Sequence, residues 1–125
     1  MADSWPMLER IAVRALNDNL SRGRAGTKLP AKVEELDGFV RVARGPGSDD
    51  GITDSPLLDV EAFHKDQAVA WDIAEDARQI ILALAASNAA GHLIDGVSTA
   101  TSPNWVFYGP HVERYVASYR VNYRR

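Results

Sequence analysis

The 125 residues carry 14 basic and 17 acidic side chains, a formal charge of −3, with 46% hydrophobic and 25% charged residues and no cysteine. That length suits one domain with a core that removes about two-thirds of the unfolded chain's surface from water, and the composition is that of a globular chain rather than a disordered one. The acidic balance excludes the counterion-release binding of a generic nucleic-acid protein, and a chain without thiols has neither a disulfide framework nor a thiolate metal site, which fits a reducing cytoplasm.

The first ten residues mix Asp3, Pro6, Glu9 and Arg10 among apolar ones, which spoils a signal-peptide core or a transit peptide. The longest apolar run, Ile80 to Ala86, falls well short of the roughly 20 residues a bilayer span needs, so no membrane association is expected. A first helix is predicted from a Ser4 cap, with Pro6 in its first turn, to about Leu20. Its buried stripe is Leu8, Ile11, Ala12, Ala15 and Leu16 at three-and-four spacing. From Ser21 to Gly38, glycines, Pro30 and scattered charges predict an exposed connection with a short extended piece around Val33.

Alternation predicts strands over Phe39 to Arg44 and Leu57 to Phe63. Between them, Gly45 to Pro56 is rich in turn formers and too long for a tight hairpin, so it is expected to be a mobile, exposed loop and a place for a partner contact. The strongest local signal is Ala70, Ile73, Ala74, Ala77, Ile80, Ile81 and Leu84, which predicts a helix from about Asp66 to Ser87 with an acidic first turn, stopped by Asn88 to Gly91. Two extended segments follow, Leu93 to Thr101 and Val112 to Tyr123, divided by turn signals at Ser102 to Asn104 and Gly109-Pro110 around an apolar Trp105 to Tyr108 patch. In the last segment Tyr115, Ala117, Tyr119, Val121 and Tyr123 share one face, and Arg114, Val116, Ser118, Arg120, Asn122 and Arg124 the other. The expected fold is α+β: one domain, a mostly antiparallel sheet of about four strands, and two helices packed on one face.

No motif announces chemistry. His64, His92 and His111 lack the spacing of a ligand pair and are read as solvated or backbone-bonded imidazoles. Asp49, Asp50 and Asp54 lack the ligand order of a calcium loop and are read as turn residues. The glycines match neither the dinucleotide nor the P-loop pattern, and there is no nucleophile elbow, so no catalytic residue and no cofactor are expected. Asp59 and Glu61 share a strand face, the wet side of a half-exposed strand or an assembly surface. Arg114, Arg120, Arg124 and Arg125 form a basic stripe. The pleat sets its arginines and the tyrosines on opposite faces, which argues against stacking on nucleic acid and for cross-strand pairs with Asp59 or Glu61, or contacts to a neighbouring subunit. A competing reading makes Trp105 to Tyr108 the lining of a small-molecule pocket with His111 or Glu113 acting in it.

Several segments together carry a family resemblance. They are Trp5-Pro6 opening a helix, Phe39-Val40-Arg41-Val42, the Gly47-Ser48-Asp49-Asp50 loop, Asp59-Val60 ahead of Ala70-Trp71-Asp72-Ile73-Ala74-Glu75, and Arg114-Tyr115 with alternation after it. In these the chain resembles the tail terminator proteins of long-tailed, non-contractile bacteriophages, especially those of actinobacterial hosts; neck and other tail-completion proteins share the size and order of elements. The resemblance implies a virion protein that assembles into a hexameric ring, caps the tail tube, stops tube polymerisation and presents a docking face to the head connector, with DNA passing through without specific binding. It brings no enzymatic residues. Ser48, Asp49, Asp50, Asp59, Glu61, Arg114, Arg120 and Arg124 are the expected contacts to a neighbouring subunit or the tube.

Overall fold

A computed structural model describes residues 8–49, 53–86 and 94–124. Helix α1, Leu8–Asn19, is followed by a three-residue strand β1, Arg24–Gly26, and a 3-10 turn at Val33–Glu35. Strands β2, Phe39–Asp49, and β3, Thr53–His64, come next, then helix α2, Gln67–Leu82, extended by a 3-10 turn at Ala83–Ala86. Strands β4, Ile94–Trp105, and β5, Glu113–Arg124, complete the order. The five strands form one sheet in the order β1-β2-β3-β5-β4. β1 runs parallel to β2, and the other pairings are antiparallel.

Alternation in the strands decides which face is covered. Val40 and Val42 on β2, Leu58, Val60 and Ala62 on β3, and Ala117, Tyr119 and Val121 on β5 are all buried in one cluster with Leu8, Ile11, Ala12 and Leu16 of α1 and Ala70, Ile73, Ala74, Ala77 and Ile81 of α2. Both helices therefore lie on the same side of the sheet, as their apolar stripes require. The small residues of α2 let its backbone approach the strands closely. Gly38, at φ +112, turns the chain into β2 under α2, where an added Cβ would come within 2.6 Å of the Ile73 Cδ1.

Caps and clamps fix the periphery. Asp66 caps α2, its Oδ1 accepting from the backbone N–H of Ala68 at 2.9 Å and of Val69 at 3.2 Å. The aspartate thus supplies the negative charge expected in the first turn of α2, which itself contains no acidic residue. Asn17 of α1 holds β1 from outside, accepting from the Ala25 N–H at 2.8 Å and donating to the Ala25 carbonyl at 3.2 Å. Its carboxamide takes the place that another strand would occupy.

Three expectations need correction. The described parts of Gly45 to Pro56 are strand rather than loop: β2 continues to Asp49 and β3 begins at Thr53, with Gly47 opposite Pro56. The turn formers sit at a register shift between Arg44 and Gly47, where a bulge tolerates them. Ser102 to Asn104 likewise lie inside β4, at a shift between Thr101 and Asn104, and the Asn104 carboxamide bridges the gap by donating to the Val116 carbonyl at 2.9 Å. Val33 is in the 3-10 turn rather than extended, and the extended piece of that connection is β1. The expected α+β fold with a mostly antiparallel sheet of about four strands is seen as five strands, the short β1 adding the one parallel pairing. Ser4, Trp5, Pro6, Asp50, Asn88 to Gly91, His92 and Arg125 lie outside the described residues. No described helix is long and apolar enough to cross a membrane.

Candidate functional site: the uncovered face of the sheet

The face opposite the helices carries Phe39, Arg41 and Ala43 from β2, Phe63, Glu61 and Asp59 from β3, and Arg114, Val116 and Ser118 from β5, aligned by the registers Arg41↔Glu61, Ala43↔Asp59, Glu61↔Val116 and Asp59↔Ser118. One end is roofed. Phe39 and Phe63 pack with Val33 and Val112, and Leu29 and Leu36 close over them, so the connection between β1 and β2 folds onto this end.

Next to that roof lies a charged group. Glu61 accepts from Arg114 Nη1 at 2.9 Å through Oε2 and from Arg41 through Oε1, and its side chain is only 13% exposed. Arg114 also donates from Nη2 to the Phe107 carbonyl at 3.2 Å, and its guanidinium lies 5.2 Å from the Tyr108 ring centroid. Tyr108 meets Phe63 edge-on at 5.2 Å. Arg114 is thus a structural hub whose donors are committed within the chain, which leaves the half-exposed Arg41 as the cation of this group that can face a partner.

Burial pushes the Asp59 carboxyl above its ordinary range, and the neighbouring Glu61 charge adds to the rise.

The structure brings together Asp59, Glu61 and Arg114 of the expected interface residues, on one face. Arg120 is on the same side of β5, opposite Leu57. Ser48, Asp49 and Arg124 are at the far end of the sheet, in register with Ser55, Asp54 and Thr53 respectively, so they form a second region distant from Glu61. The expected cross-strand pair of Glu61 with the basic stripe is present as Arg114. Sequence reasoning missed Arg41, although its alternation with Val40 and Val42 already set it on the polar face; the missing information was the β2–β3 register.

His64 is buried and backbone-bonded: its Nδ1 accepts from the Asp66 N–H at 2.9 Å, and Nε2 lies 3.3 Å from Asp37 Oδ1. His111 is exposed. Among the described residues, no group of three or more histidine, cysteine or acidic side chains is placed to hold a metal.

The Trp105 to Tyr108 segment stands out from the end of the sheet, with Trp105 46% and Phe107 63% exposed. Trp105 donates from Nε1 to Glu113 Oε1 at 2.8 Å, stands opposite Tyr115 across the strands and meets Phe107 at 6.3 Å. Tyr115 in turn meets Trp71 of α2 at 5.3 Å. Trp71 with Tyr115 and Trp105 with Phe107 form two aromatic pairs that the Trp105↔Tyr115 register sets side by side as a ridge, on a surface where isolated apolar residues are ordinary but contiguous ones are not. Compared with known protein families and with curated proteins, the chain matches none.

Proposed function

We propose that the chain is a ring subunit at the head-proximal end of a bacteriophage tail, where it caps the tube, ends tube polymerisation and offers a docking surface to the head connector. The observation that supports this reading best is the long β2–β3 hairpin joined to an uncovered, charge-laced sheet face: it gives a small subunit broad, rigid, polar surface for protein contacts. The aromatic ridge adds the residue types that dominate protein interfaces. The resemblance across Trp5-Pro6, Phe39 to Val42, Ala70 to Glu75 and Arg114-Tyr115 supplies the finer assignment to a tail terminator, and with it a hexamer, the tube protein and the connector as partners.

Negative-stain electron microscopy of the purified protein mixed with its cognate tail tubes tests this. Tubes capped at one end and halted in length are the expected result. Particles that bind the connector and ignore tubes would reassign the chain to the neck, and dispersed monomers that ignore both would overturn the reading.

A further inference from the structure

The two edges of the sheet carry unlike surfaces. Beside β1, a groove of about 400 Å³ is lined by Arg10, Val13 and Arg14 of α1 with Gly26 and Thr27. Arg10 and Arg14 are exposed, stand one helical turn apart, and have no ion-pair partner among the described residues. Like charges at that spacing repel, so an anion between them would relieve a cost already present in the lone chain. The β4 side of the molecule carries the ridge of Trp71, Tyr115, Trp105 and Phe107, with the Glu113 carboxylate fixed against the Trp105 indole.

Main-chain pairing is hindered at both edges. The Ala25 backbone is already taken by Asn17, and β4 is interrupted by register shifts and carries Pro103. A lateral contact through side chains avoids both obstacles. The ridge offers an exposed aromatic and a carboxylate, and the groove offers an apolar floor between two cations.

We propose that copies of this chain associate head to tail, Phe107 of one copy entering the groove at Val13 and Gly26 of the next, with Glu113 set against Arg10 and Arg14 of that neighbour. Such a contact is heterologous, uses opposite edges of one sheet, and generates a ring or a filament according to the rotation per copy. The contact deepens the ring reading above, on which it rests for closure into a ring.

The chain has no cysteine, so introduced pairs report cleanly. Thr27→Cys and Val106→Cys place thiols at the groove rim and beside Phe107 without removing the proposed contacts. Under mild oxidation at high protein concentration, and again with cognate tail tubes, the double variant should give a ladder of covalent oligomers. Adding Phe107→Asp or Arg14→Glu should reduce the ladder at least tenfold, with circular dichroism confirming the fold. Pairing Arg14→Glu with Glu113→Arg should restore it. A ladder supports the contact whether or not tubes are capped. Capped tubes without a ladder would overturn this contact and leave the terminator reading standing; monomers with neither would overturn both.

Discussion

Arg114 and Glu61, on neighbouring strands, meet through Nη1 and Oε2 at 2.9 Å, and the same carboxylate holds Arg41 through its other oxygen. One anion thus ties β2, β3 and β5 together on the face without helices. Glu61→Ala strands two guanidiniums, one of them only 17% exposed, and should destabilise the fold by about 2 kcal/mol. Glu61→Gln, which keeps the shape and an acceptor, should cost less. Urea midpoints at unchanged m-value measure both, and equal midpoints for wild type and Glu61→Ala would show that water replaces the carboxylate without loss.

Asp59 gives the uncovered face a pH dependence. Its folded-state pKa is raised by burial and then by Glu61 above the ordinary 3.8. The folded chain therefore holds that proton more tightly than the unfolded one, and the resulting stability is complete below about pH 3.8 and is lost as pH rises through the raised value. Asp59→Asn should remove this downward slope and be more stable than wild type at neutral pH. Stability curves of the two proteins between pH 3 and 7 that differ by a constant offset would contradict it.

Tyr119 is fully buried, and its hydroxyl finds no hydrogen-bond partner among the described residues. Burial pushes it up to about 12, opposed by the Arg78 charge and assisted by Glu75. Tyr119→Phe should therefore be neutral or stabilising by up to ~1 kcal/mol, since an unpaired buried hydroxyl carries a desolvation cost. In the wild type, stability should fall as pH rises from 10 through about 12, because the unfolded tyrosine ionises first. Tyr119→Phe should reduce that alkaline loss, read from thermal midpoints in parallel buffers.

Asp66→Ala removes the two cap bonds to Ala68 and Val69 and should cost about 1 kcal/mol. Asp66→Asn and Asp66→Ser, which retain an acceptor, should recover most of it. Recovery by Ser but not by Ala separates the cap from any effect of charge alone.

The parts of the fold legible in the sequence are those set by local period. The 3.6-residue stripe of α2 and the two-residue alternation of β5 each name their inward face, and the structure buries Ala70, Ile73, Ala74, Ala77, Ile81 and Leu84 of the first and Ala117, Tyr119 and Val121 of the second. β1 was hidden because three residues carry no period, and its pairing with β2 depends on Asn17 and Gly38 rather than on its own sequence. The outer halves of β2 and β4 were hidden because Gly45-Pro46-Gly47 and Ser102-Pro103-Asn104 have turn chemistry that the sheet absorbs as bulges. At the candidate site, alternation placed Asp59, Glu61 and Arg114 correctly on the polar side. Arg41 and Tyr108 join them only through cross-strand register and a packed segment, neither of which a local reading contains.

The placement of β5 between β3 and β4 bears on how the chain comes to be folded. Synthesis delivers α1, the β2–β3 hairpin, α2 and β4 before the strand that both β3 and β4 require as a neighbour. During translation at roughly 5–20 residues per second, the inner edge of β3 and the apolar side of α2 wait for Ala117, Tyr119 and Val121 to emerge. Until β5 emerges, the edges of β3 and β4 that it will pair stay open, and an open edge is the kind of surface that invites misassociation.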